Sequence, residues 1–209
     1  GQGVLSDMGG IYTLGVQRGT ILSGNIIHDV ECDTETGMGY GGWALHLDEG
    51  TSFVTVENNL CYNCSSHSLH LHYGEGNIVR NNIFALSKMG QICVDKKEDH
   101  YSMLFTRNIV VSKNEAIYNR VKSGLFRDKE NLYWDYCRKF NIFSSGMDYY
   151  DFWEVHPYPL MIIEGYYKNA VVKDPLFADI GNFDFTVCPN SPALDMGFVP
   201  WDYSAAGIQ

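Results

Sequence analysis

The sequence predicts an all-β fold wound as a solenoid of stacked coils, and three observations carry that prediction. Short apolar strands ending in Asn-Asn or Asn-aliphatic steps recur: Thr20–Ile27, Val54–Leu60, Asn77–Phe84 and Met103–Val110. Their spacing is regular, 23 residues from Asn58 to Asn81 and 26 from Asn82 to Asn108. A second set of strands interleaves with the first at the same period, 24 residues from Leu45 to Leu69 and 23 from His72 to Asp95. Repeats of this length, built from β-branched strands and Gly/Asn turns, bury their apolar faces by stacking coil on coil. The specific architecture expected is a right-handed parallel β-helix.

Taken in order, the elements fit that plan. The Asn residues at strand ends have a structural role: Asn tolerates a left-handed backbone at a tight corner, and its amide can bond the next Asn one coil along. In Gly42–Asp48, His67–His72 and Gln91–Asp95, alternation puts Leu45, Leu47, Leu69 and Leu71 on one face. His46, Asp48, His70, His72 and Asp95 then share the other, which is expected to look outward. Residues 31–41 read as a loop thrown out from one coil, of the kind that walls a groove.

After residue 112 the period blurs. One domain over 1–209 is expected, with regular coils over 1–112. Irregular coils at Leu125–Arg127 and Leu132–Trp134 and a covering segment would fill 113–209. Within it Met147–Trp153 reads as a short amphipathic helix stopped by Pro157 and Pro159. The extended tail from Asp174 is expected to pack along the solenoid or over its C-terminal end.

Composition narrows the function. A net charge of −10 and the absence of a Lys/Arg stripe argue against nucleic acid. No apolar run approaches the ~20 residues that span a bilayer. An acidic, aromatic-rich surface suits neutral ligands such as sugars. The chain opens at Gly1-Gln2-Gly3-Val4-Leu5 as if inside a strand, so it is expected to be the C-terminal part of a longer protein, with self-association through the uncapped coil. Cys32, Cys61, Cys64, Cys93, Cys137 and Cys188 lack metal-finger spacing and read as thiols of the stacked interior, with a disulfide left open.

Chemistry concentrates at Trp43–Gly50. Adjacent coils lie ~4.8 Å apart, so Asp48, His72 and Asp95 align. Two registers compete for the first strand. Matching Gly9–Tyr12 to Gly41–Ala44 leaves Asp7 far from Asp48. Matching Val4–Asp7 to Leu45–Asp48 stacks the two aspartates, and this second register is preferred. Two carboxylates within ~5 to 9 Å are what glycosidic hydrolysis requires, one protonating the leaving oxygen and the other attacking or activating water. Glu49, His46, His70, His72, Tyr73, Asp95 and Trp43 are the candidate substrate-binding residues, with Tyr12, Tyr40 and Tyr73 as further ring platforms. No cofactor is expected; a divalent metal on His46, His70, His72 and Asp48 is the alternative use of the histidines.

At Ser6–Gly15, Gly41–Gly50, His70–Gly74 with Asn81–Ala85, and the tail segments Lys173–Phe177, Asp184-Phe185 and Ser191–Phe198, the sequence resembles bacterial β-helix proteins acting on polysaccharides. Among such proteins it resembles glycoside hydrolase family 141, whose members include an α-L-fucosidase and a xylanase. The resemblance implies Asp7 and Asp48 as the catalytic pair and His72-Tyr73-Gly74 as a family motif. It also implies a secreted, periplasmic or cell-surface protein acting on an oligo- or polysaccharide. Those enzymes are much longer, with further N-terminal coils and often a β-sandwich. The competing readings are a β-helix polysaccharide lyase, for which the outward column offers His72 as base but no Arg or Lys, and a non-catalytic carbohydrate-binding or structural solenoid.

Overall fold

The structure, a computed structural model, describes residues 5–33, 41–96, 98–113, 115, 117–119, 126–137, 169–204 and 206. Three parallel sheets dominate it. The first sheet stacks β1 (Gly9–Thr13), β4 (Trp43–Leu47), β7 (His67–Leu71), β10 (Gly90–Val94) and β13 (Tyr118–Asn119). The second stacks β2 (Ile21–Ser23), β5 (Thr55–Glu57), β8 (Asn77–Arg80), β11 (Met103–Thr106) and β14 (Arg127–Lys129). The third contains β3 (Ile26–His28), β6 (Leu60–Tyr62), β9 (Ile83–Ala85), β12 (Ile109–Ser112), β15 (Leu132–Asp135) and β16 (Val171–Val172). Through β15, each strand pairs with the one three places later in the chain, so the polypeptide visits the sheets in rotation. The fold is all-β, made of stacked parallel strands.

Alternation sorts the side chains as expected. Leu45, Leu47, Leu69, Leu71, Ile92 and Val94 from the first sheet meet Val56, Val79 and Phe105 from the second and Cys61, Phe84 and Val110 from the third in one buried cluster. Corner geometry divides between neighbouring residues. Gly24, Asn58, Asn81, Arg107 and Glu130 take the left-handed backbone, with φ of 73°, 56°, 55°, 55° and 56°. The residue after each carries the amide ladder. Asn25 Nδ2 donates to Asn59 Oδ1 at 2.8 Å, Asn59 to Asn82 at 3.0 Å, Asn82 to Asn108 at 3.0 Å and Asn108 to Asn131 at 3.1 Å. The regular columns also run on past residue 112: Leu104 pairs with Arg127, and Ile109 with Leu132.

The tail lies along the third sheet. β17 (Phe177–Asp179) and β18 (Asp184–Val187) form an antiparallel pair, followed by the short helix α1 (Pro192–Asp195). Phe185, Ala193 and Phe198 pack on the outer face formed by Leu60, Ile83, Ala85, Ile109, Val111 and Leu132. The expected helix at 147–153, most of the loop at 31–41 including Tyr40, and Leu125 lie outside the described residues. No helix among the described residues is long and apolar enough to cross a membrane. Among them, too, no disulfide joins the six cysteines.

The candidate site on the first sheet

The register of β1 corrects the preferred expectation. Gly9 stands opposite Trp43, Ile11 opposite Leu45, Tyr12 opposite His46 and Thr13 opposite Leu47. Neither expected register is realised, and the observed one is two residues on from the first. Close packing sets it. A Cβ on Gly9 would lie 2.7 Å from His46 Cβ, and one on Gly10 would press on Ile27 and the Ala44 carbonyl, so only the Gly-Gly pair fits here. Asp7 therefore sits six residues ahead of Thr13, on the turn before β1 with φ of 54°, and does not stack on Asp48.

The later coils align as the sequence predicts. His46 is opposite His70, and His70 is opposite Cys93. One alternation further along, His72 follows Asp48 and Asp95 follows His72, joined by backbone bonds from His72 to Leu47 at 3.0 Å and from Asp95 to Leu71 at 3.1 Å.

Asp48 is the centre of the cluster. Its Oδ2 accepts from the Tyr12 hydroxyl, and its Oδ1 lies 2.9 Å from His72 Nδ1 and 3.5 Å from His46 Nε2. Burial alone would raise its pKa. Hydrogen bonds from Tyr12, the Glu49 backbone and His72, with the nearby His46, outweigh that and hold it down at about 2. An Asp48 that carries no proton requires His72 Nδ1 to donate, so that in the neutral ring Nε2 is the lone-pair nitrogen. The Tyr12 phenol is pushed well above its ordinary range by its bond to Asp48, then by burial and by the charges of Asp48, Asp7 and Glu49. Asp7 and Asp48, although not stacked, thus act on one phenol.

The expectation of an outward polar face holds for only part of the column. Asp48 is 9 % exposed, and His46 and His70 are 1 % and 4 % exposed. Tyr12 closes one end of the imidazole stack, edge-on to His46 at 4.6 Å; His70 stacks on the other side of His46 at 4.7 Å. Trp43, expected as an open platform, is buried with its ring 4.3 Å from both imidazoles, and its Nε1 donates to His67 Nδ1 at 3.2 Å. Trp43 walls the stack. Burial, followed by the neighbouring His70, lowers the His46 pKa to about 4, so this ring is neutral near pH 7. His72 and Asp95 are partly exposed, and Glu49 is exposed.

Three roles escaped the sequence reading. Tyr12 was expected to stack on sugars, yet its hydroxyl binds Asp48. Lys96 supplies the cation missing from the column, with Nζ 4.1 Å from the centre of the Tyr73 ring, which in turn packs edge-on to His72 at 4.9 Å. Cys93 had been read only as an interior thiol; the 23-residue period, counted from His70, would have found it. Two cavities of about 300 and 350 Å³ lie elsewhere, against the tail. One is lined by Phe185, Trp201 and Tyr203, the other by Trp134, Tyr136 and Asn190. Comparison with protein-family models, with curated proteins and with solved structures finds no match to this chain.

Proposed function

We propose that the chain is a right-handed parallel β-helix of a glycoside hydrolase that cleaves a plant or bacterial polysaccharide through Asp7 and Asp48. The single observation that carries this reading is the Asp48 carboxylate anchored by the Tyr12 hydroxyl and His72 Nδ1, with the exposed Asp7 bearing on the same phenol. Parallel crossovers are almost always right-handed, which supports the winding. A carboxylate held ionised suits the nucleophile or the water-activating base. Asp7, exposed on the turn before β1, is then assigned the part of the acid that protonates the leaving oxygen. A polysaccharide substrate is met outside the cytoplasm, in keeping with a secreted, periplasmic or surface location.

A second reading is favoured by Lys96. Elimination from a uronate needs a base and a cation on the carboxylate, and His72 Nε2, oriented by Asp48, stands near the Lys96 ammonium across Tyr73.

Incubation with a panel of neutral and uronate polysaccharides separates these readings. Hydrolysis releases reducing ends without ultraviolet-absorbing product. Asp7→Asn and Asp48→Asn are each expected to lower it by ~10²–10⁴-fold. Unsaturated product that survives Asp7→Asn identifies the lyase. Turnover of no substrate, with sugar binding retained, would leave a non-catalytic solenoid.

A further inference from the structure

We propose that His70, Cys93 and Asp95 form a binding site for a divalent transition metal of the zinc class, separate from the Asp48 cluster. Three successive positions of the first sheet create it: His70 on β7, Cys93 directly opposite on β10, and Asp95 two residues on, on the same side of the strand. One ligand atom from each, the imidazole nitrogen, the thiol sulfur and a carboxylate oxygen, lies within 4.8 Å of the others. His70 Nε2 and Asp95 Oδ2 are 3.5 Å apart. Ligands of a tetrahedral zinc, bound at ~2.0–2.3 Å, lie roughly 3.5 Å from one another, so the three donors close onto an ion by drawing together.

A second observation points the same way. The His70 side chain is 95 % buried (5 % exposed), and neither of its ring nitrogens makes a hydrogen bond among the described residues. An imidazole buried without a hydrogen bond is costly. Its Nε2 is directed at Asp95, and a metal between them would satisfy it. Imidazole, thiolate and carboxylate together suit zinc or cobalt and disfavour calcium or magnesium, which take oxygen ligands. Asp95, 27 % exposed at its side chain, is the route of entry. Three protein ligands leave a fourth position for water, as in catalytic zinc sites. This set differs from the His46, His70, His72 and Asp48 combination suggested by the sequence: Asp48 is already held by Tyr12 and His72.

The test uses the whole chain stripped with chelator and titrated with Co²⁺, then Zn²⁺. Wild type is expected to bind one Co²⁺ with a thiolate-to-cobalt charge-transfer band, displaced by Zn²⁺. Cys93→Ser should abolish the band. Losing an outer-shell partner costs 10–100-fold in metal affinity, so the near-isosteric Asp95→Asn, which removes a ligand at a partly exposed position, should weaken Zn²⁺ by at least ~100-fold while the metal-free melting curve is unchanged. A wild-type complex without the band, a band that persists in Cys93→Ser, or unchanged affinity in Asp95→Asn would each overturn the site.

Discussion

Asp128 shows how much one buried carboxylate can be asked to do. It is 1 % exposed and accepts from the Tyr118 and Tyr133 hydroxyls and from Asn131 Nδ2, the last amide of the ladder, at 2.7 Å. Burial outweighs those bonds and lifts its pKa from 3.8 to about 6. The native state therefore holds this proton more tightly than the unfolded chain. The associated stability is fully present below 3.8 and is lost as pH rises through about 6. The difference amounts to at most about 3 kcal/mol at 1.36 kcal/mol per unit. Asp128→Asn keeps an acceptor for Asn131 and removes the charge. Denaturant unfolding across this interval should show wild type losing stability relative to the variant as pH rises, the opposing contribution of His46 being common to both; parallel curves would refute the assignment. None of this was legible in the sequence, where Asp128 is one acid among many and the covering Tyr118 comes from another strand.

At the scale of the element, the corner between the second and third sheets assigns two tasks to two adjacent residues. The sequence reading gave both tasks to Asn, and the Asn-Asn pairs made that natural. The structure separates them, and the fourth corner makes the difference visible, since Arg107 takes the left-handed turn and Asn108 the ladder. Asn108 is fully buried; it donates to Val79 O at 3.0 Å and accepts from both the backbone and the side chain of Asn82. Asn108→Ala orphans those groups and should cost on the order of 3 kcal/mol or more. Arg107→Gly relieves a left-handed backbone, loosens the unfolded chain and gives up a partly exposed ion pair with Glu130, effects that nearly cancel to within about 1 kcal/mol. Chemical denaturation of the two variants checks the contrast. Equal losses would mean that the turn and the ladder are not separable.

For the molecule as a whole, the third sheet is apolar on both faces. Cys61, Phe84 and Val110 look into the buried cluster between the three sheets, while Leu60, Ile83, Ala85, Ile109, Val111 and Leu132 look out. The tail makes this tolerable by covering the outer face. Phe185 is fully buried there, edge-on to Phe177 at 5.3 Å and against Tyr62 at 5.1 Å. Asn81 holds the Val199 backbone through two bonds of 2.7 Å. Phe185→Ala should destabilise by ~3–5 kcal/mol and increase binding of a hydrophobic dye; a loss below ~1 kcal/mol would show that the tail is an ornament. The motifs Asp174–Phe177 and Ser191–Leu194 announced a covering segment, and its position along the third sheet became clear only with the partner face in view.

The sequence by itself determined the period, the inward leucines, the amide columns and the alignment of Asp48, His72 and Asp95, because these follow from alternation and a repeat of nearly constant length. Tertiary structure decided the rest. The register of β1 depended on where Gly9-Gly10 could press against His46 and Ile27. The burial of His46 and His70 depended on Trp43 and Tyr12 closing over them. The pairing of His70 with Cys93 and Asp95 brings together residues two dozen positions apart in the chain. Each is a contact between coils, and how closely two coils approach is set by the volumes of side chains that only the assembled stack brings into contact.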